Sequence, residues 1–140
     1  MELSSRMRTA FLAQIPICAL LTASAFGADI GPGAGTAVTN AQGYRVRVHI
    51  TPNNTRGWND IDLQTTRSGH VVRLKTASVR FEMPAMSMGA PQFRLRAVRA
   101  GLYRYSGPAI SMPGVWLLTF RITPQHGRSF TVVVRDHVGR

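Results

Sequence analysis

The 140-residue chain sets 17 lysine and arginine residues against 6 aspartate and glutamate residues, a formal net charge of +11, and 44% of it is hydrophobic. That length holds one domain and little more. Its single cysteine, Cys18, sits in an N-terminal apolar run, so the rest of the chain has no disulfide, thiolate nucleophile or Cys-ligated zinc or iron–sulfur centre.

Residues 1–8 carry Arg6 and Arg8 against Glu2, residues 9–21 are almost wholly apolar, and residues 22–25 read TASA. These are the three parts of a secretory signal peptide, which predicts cleavage before Phe26, with Ala25-Phe26-Gly27 as a second candidate, and an exported, periplasmic protein. The apolar run is interrupted by Pro16 and is well short of the roughly 20 residues that cross a bilayer. A retained N-terminal membrane anchor is the alternative. Residues 26–42, FGADIGPGAGTAVTNAQ, are rich in Gly, Ala and Thr without periodicity and are expected to form a flexible leader.

Alternation begins after Gly43, and the expected domain covers residues 43–138. Tyr44, Val46, Val48 and Ile50 share one face while Arg45, Arg47 and His49 share the other, which predicts a half-buried strand. After the Pro52-Asn53-Asn54 turn, a second strand places Ile61 and Leu63 inward and Asp60, Asp62 and Gln64 outward. Residues 71–74 form a short strand or an extended connection. Ala77, Val79, Phe81 and Met83 make the next inward set, and Phe93, Leu95 and Ala97 repeat the pattern against Arg94 and Arg96. Residues 101–106, 115–122 and 130–135 complete the series, with Trp116, Leu118, Phe120 and Ile122 on one side of the longest. No stretch holds a 3.6-residue period. About seven short strands with Gly/Pro punctuation predict an all-β fold, an immunoglobulin-like antiparallel β-sandwich packed around Trp116.

The run 81–90, FEMPAMSMGA, raises the question of function. Methionine fills core gaps, but its thioether is also a soft metal ligand that stays neutral at physiological pH. Met83 is in phase with Phe81 and should point inward as core. Pro84 removes a ladder donor and sends the chain into a loop that carries Met86 and Met88. Met112 recurs in Ser111-Met112-Pro113-Gly114, just before the Trp116 strand. If both loops lie at one pole of the sandwich, four thioethers are neighbours; a plastic binding surface or plain loop packing is the other account of them.

The order of elements, with Gly57-Trp58-Asn59, FEMPAMSM, Gly101-Leu102-Tyr103-Arg104 and Ser111-Met112-Pro113-Gly114-Val115-Trp116, resembles the YtkA-like domain family. It is similar also to the soluble domain attached to some CopD-type copper-resistance proteins. The resemblance covers roughly residues 44–124 and rests on Met-Pro-x-Met together with Met-x-Gly-x-Trp. It implies a secreted or membrane-tethered sandwich linked to copper handling, with Met83, Met86, Met88 and Met112 at the metal positions and Gly114 and Trp116 as structural ones. Many such domains carry a histidine after the second methionine, where this chain has Ser87-Met88. That departure weakens a case for Cu(II), which prefers nitrogen, and leaves a thioether set suited to Cu(I).

The other candidates are weaker. His49, His70, His126 and His137 are scattered without a short metal-binding spacing, although His49 could add one nitrogen if it faces the methionine pole. Asp60 and Asp62 are better placed for cross-strand charge pairing than for catalysis. Neither a nucleophile elbow nor a nucleotide fingerprint is present, which predicts a binding module and no enzyme. All basic residues but Lys75 are arginine, and they are dealt out singly as on the wet face of a strand, so no nucleic-acid partner is expected. The leading expectation is an exported copper-binding or copper-transfer module for Cu(I). The alternative is a non-metal interaction or assembly module for a membrane-protein partner, such as a transporter or an oxidase under assembly. Trp58 fits either a core position or the rim of a surface pocket.

Overall fold

A strand whose side chains alternate in polarity has one face to bury, and two such faces stacked together make a core. A computed structural model describes residues 26–86 and 89–140. Its strands are β1 (Phe26–Ile30), β2 (Gly35–Ala41), β3 (Tyr44–Thr51), β4 (Asn59–Arg67), β5 (His70–Val71), β6 (Leu74–Glu82), β7 (Gln92–Arg94), β8 (Arg96–Arg99), β9 (Leu102–Gly107), β10 (Gly114–Pro124) and β11 (Phe130–Val138). One sheet runs β1-β11-β10-β6-β7 and the other β2-β3-β4-β9-β8, with β5 added to β4. The protein is an all-β sandwich, and its pairings are antiparallel except for β1, which lies parallel to β11.

The inward sets fill the space between the sheets. Val46, Val48, Ile50, Ile61, Leu63, Val79, Phe81, Leu118, Phe120, Ile122, Val132 and Val134 are wholly buried, and Tyr44, Ala77, Met83 and Trp116 are nearly so. At one end of this core Tyr44 stacks on Phe130 with ring centroids 4.9 Å apart, and the Arg67 guanidinium lies 5.0 Å above the Tyr44 ring.

Three expectations need correction. Residues 26–42 are not a flexible leader: β1 and β2 lie there, so the sandwich starts well before residue 43. β2 hides only Ala37 and Thr39, side chains too small for the alternation to show as a hydropathy contrast. The strands number eleven among the described residues, four more than about seven: β1, β2 and the division of β7 from β8 were not anticipated, and the stretch 71–74, open between a short strand and a connection, overlaps the two-residue β5 at its start. Finally, residues 93–97 do not alternate as one strand. Leu95 alone is buried, while Phe93 and Ala97 are exposed. Here the chain crosses between sheets: the Leu95 N–H donates to the Ala77 carbonyl at 2.8 Å, after which β8 pairs with β9 in the other sheet.

The connections segregate by pole. Ile30 of β1 sits opposite Asp136 near the end of β11, Gly114 of β10 opposite Val138, Leu117 opposite Glu82 at the end of β6, and Gly107 opposite Asn59. Segments 31–34, 52–58, 83–86, 89–91 and 108–113 therefore gather at one pole. Turns 42–43, 68–69, 100–101 and 125–129 lie at the other.

Candidate metal centre

The β6–β10 register decides where the methionines go. With Leu117 opposite Glu82, the chain leaves β6 through Met83 beside the strand start that Met112 and Gly114 lead into. Met83 is buried at 7% exposure. Its thioether lies over the backbone of Gly114, where a Cβ would stand 3.2 Å from the Met83 Cε and 4.0 Å from its Sδ. Pro84 and Ala85 form a turn in which the Met86 N–H donates to the Met83 carbonyl at 3.0 Å. Met86 itself is 44% exposed. Met112 is half-buried against the core, and its carbonyl accepts the Trp116 Nε1–H at 2.9 Å, which ties the Met112 segment to a buried aromatic. Met88 lies outside the described residues.

Met83, Met86 and Met112 thus share one pole, one of them buried, one half-buried and one open. Neutral thioethers of this kind suit a soft monovalent cation. Gly114 keeps φ at +135°, outside the range side chains favour, and leaves room for the Met83 methyl. Gly114→Ala is expected to cost about 1–3 kcal/mol through backbone strain and displacement of Met83, measurable by chemical unfolding.

The histidines stay apart from this pole's interior. His49 points outward from its sheet, with Nδ1 2.8 Å from Thr36 Oγ1. His70 and His126 are exposed at the opposite pole. His137 projects outward from β11, its Nε2 3.6 Å from Asp29 Oδ1. Among the described residues no group of three His, Cys, Asp or Glu side chains is placed to hold a metal. Asp62 pairs with Arg104 across β4 and β9, Nε to Oδ1 at 2.6 Å and Nη2 to Oδ2 at 2.9 Å, so the pairing expected for the two aspartates holds for Asp62. Asp60 faces Ser106.

A second buried feature lies at the same pole. Asp136 occupies an inward slot of β11, in phase with Val132, Val134 and Val138, and is fully buried opposite Trp116. The Asn53 Nδ2 donates to its Oδ1 at 2.7 Å and to the Gly33 carbonyl at 2.9 Å, joining segments 31–34 and 52–58 to β11. Asp136 Oδ2 and Asn53 Oδ1 have no hydrogen-bond partner among the described residues. Burial pushes the Asp136 carboxyl up from 3.8 to about 6, against the smaller opposing pulls of Asn53 and His137. An acidic residue at an apolar beat of the alternation was the available signal, and the expected strand stopped one residue short of it.

A two-sheet sandwich bearing methionines on neighbouring loops at one end is the class this structure defines. The chain belongs to the YtkA-like family, whose model matches residues 39–121, from β2 into β10 and across all four methionines named above. No curated protein and no solved structure matches it. No helix among the described residues is long and apolar enough to cross a membrane, and the expected signal peptide, residues 1–25, lies outside them.

Proposed function

We propose that the protein is an exported, periplasmic module that binds copper or passes it on, holding it as Cu(I) through Met86, Met88 and Met112, with Met83 a fourth ligand or a packing neighbour. The observation that carries this reading is the register of β6 on β10, which brings Met83 and the Met86 turn to the pole that holds Met112. Copper is here the cargo. Thioethers carry no proton to displace, so binding should be nearly independent of pH. Ligands on loops can be surrendered one at a time to a partner site. The net positive charge opposes capture of free copper ions from solution, which favours direct transfer from a partner. Copper is preferred to other soft ions on the resemblance of the Met-Pro-x-Met and Met-x-Gly-x-Trp pattern to domains attached to CopD-type proteins, which is a reading of the sequence.

The test is an anaerobic Cu(I) titration against a competing chelator. Joint replacement of Met86, Met88 and Met112 by Leu removes the sulfur and keeps the bulk. Affinity should fall by more than about 100-fold, beyond the 10–100-fold that loss of outer supporting groups costs. Affinity unchanged by the triple replacement eliminates the site.

A further inference from the structure

An open groove of about 760 Å³ runs along the edge where β7 and β8 border the two sheets and reaches the methionine pole at Trp58 and Pro108. Trp58, Phe93 and Val98 supply apolar side chains to it and Arg94, Arg96 and Arg104 supply charge. Three observations bear on what it takes. Trp58 is 69% exposed, with Val98 and Phe93 at 51% and 37%, an exposure that three large apolar side chains at one place rarely show without an occupant. Arg96 stands directly opposite Arg104 across the β8–β9 ladder, a like-charged pair that costs stability. Arg104 is neutralised by Asp62, whereas Arg94 and Arg96 form no ion pair among the described residues. Lastly, β8 pairs with β9 on one side only, so its outer backbone groups face no strand among the described residues.

We infer that this groove docks an acidic, extended segment of a partner protein, laid along β8 as an added strand, with carboxylates on Arg94 and Arg96 and apolar residues against Trp58, Phe93 and Val98. Charge complementarity and the open strand edge together favour a peptide over a lipid surface, which would satisfy the arginines and leave the backbone unpaired. The inference stands apart from the copper reading and is tested without metal. The groove borders the methionine segments: Phe93 and Arg94 follow the Met83–Met86 segment in sequence, and Pro108, also lining the groove, precedes Met112 by four residues.

The probe is a fluorescein-labelled ten-residue peptide of alternating Glu and Val, read by anisotropy on metal-free protein at low salt and at about 0.15 M. It should bind in a salt-weakened manner, while a Lys-Val peptide does not. Arg94→Glu with Arg96→Glu should weaken it at least about tenfold, and Trp58→Ala about fivefold or more. Methylation of alternate peptide nitrogens should weaken it comparably. Circular dichroism of each variant checks that the fold is kept. Equal binding of a Glu-Ser peptide would reduce the groove to a charge effect and overturn the proposal. So would indifference to the arginine and tryptophan changes, equal binding of the methylated peptide, or preference for phosphatidylglycerol vesicles. If the arginine changes only make the protein self-associate, they guard the edge against aggregation and dock nothing.

Discussion

Between about pH 4 and pH 6 the stability contributed by Asp136 should fall as pH rises, by about 2 kcal/mol, and then level off. The folded chain raises this carboxyl from 3.8 to about 6 by burying it, so within that window the native state holds a proton that the unfolded state has released. A group whose folded pKa is raised contributes fully below its unfolded value and loses that contribution as pH climbs through the folded one. The opposite slope, familiar for salt-bridged carboxylates, is not expected because among the described residues Asp136 Oδ1 is bonded by the neutral amide of Asn53 and burial outweighs the pulls of Asn53 and His137. Asp136→Asn carries no titrating proton. The difference in unfolding free energy between the wild type and this variant, measured in urea at pH 4 and pH 7, should therefore shift by about 2 kcal/mol. A constant difference would mean that the carboxyl titrates normally inside the sandwich.

Trp116→Ala should destabilise the protein by about 3–5 kcal/mol, the cost typical of deleting a large buried aromatic that its surroundings cannot refill. Trp116 is 5% exposed and stands where β10 begins, opposite Asp136 on one side and next to the residue paired with Glu82 on the other. Trp116→Phe separates packing from tethering. It keeps most of the ring but removes the Nε1–H that holds the Met112 carbonyl, for a loss of about 1–2 kcal/mol. On the copper reading the Phe variant should also bind Cu(I) more weakly, since the Met112 segment is no longer fixed. Chemical unfolding and the chelator titration together read both effects. Unfolding free energies for Trp116→Ala within about 1 kcal/mol of wild type, roughly the worth of one ordinary hydrogen bond, would show that the sandwich does not depend on this ring.

The core was legible because its side chains are large and strictly alternate. Val46-Arg47-Val48-His49-Ile50 states its inward face without reference to any partner, and Ile61, Leu63, Phe81, Leu118 and Phe120 do likewise. β1 and β2 were not legible for the opposite reason. Ala37 and Thr39 barely differ in polarity from their outward neighbours, and the parallel pairing of Ile30 with the chain's far end leaves no local trace. The division at Leu95 was hidden as well, since the alternation of Phe93, Leu95 and Ala97 continues across a change of sheet. At the candidate site, the inward phase of Met83 and the loop position of Met86 could be read from Pro84 and the preceding beats. The meeting of two loops at one pole could not, because it depends on a register between strands 35 residues apart, Glu82 against Leu117. The exposure of Trp58 likewise depends on which neighbours the fold sets beside it.

The direction of β1 bears on how the molecule is presented to its surroundings. Running parallel to β11, it enters about midway along the sheet at Phe26, opposite Val133, and advances toward the methionine end at Ile30. β1 thus reaches the methionine end only at Ile30, and Phe26 lies set back from the loops that carry Met83, Met86 and Met112, leaving that tip clear of the strand's start.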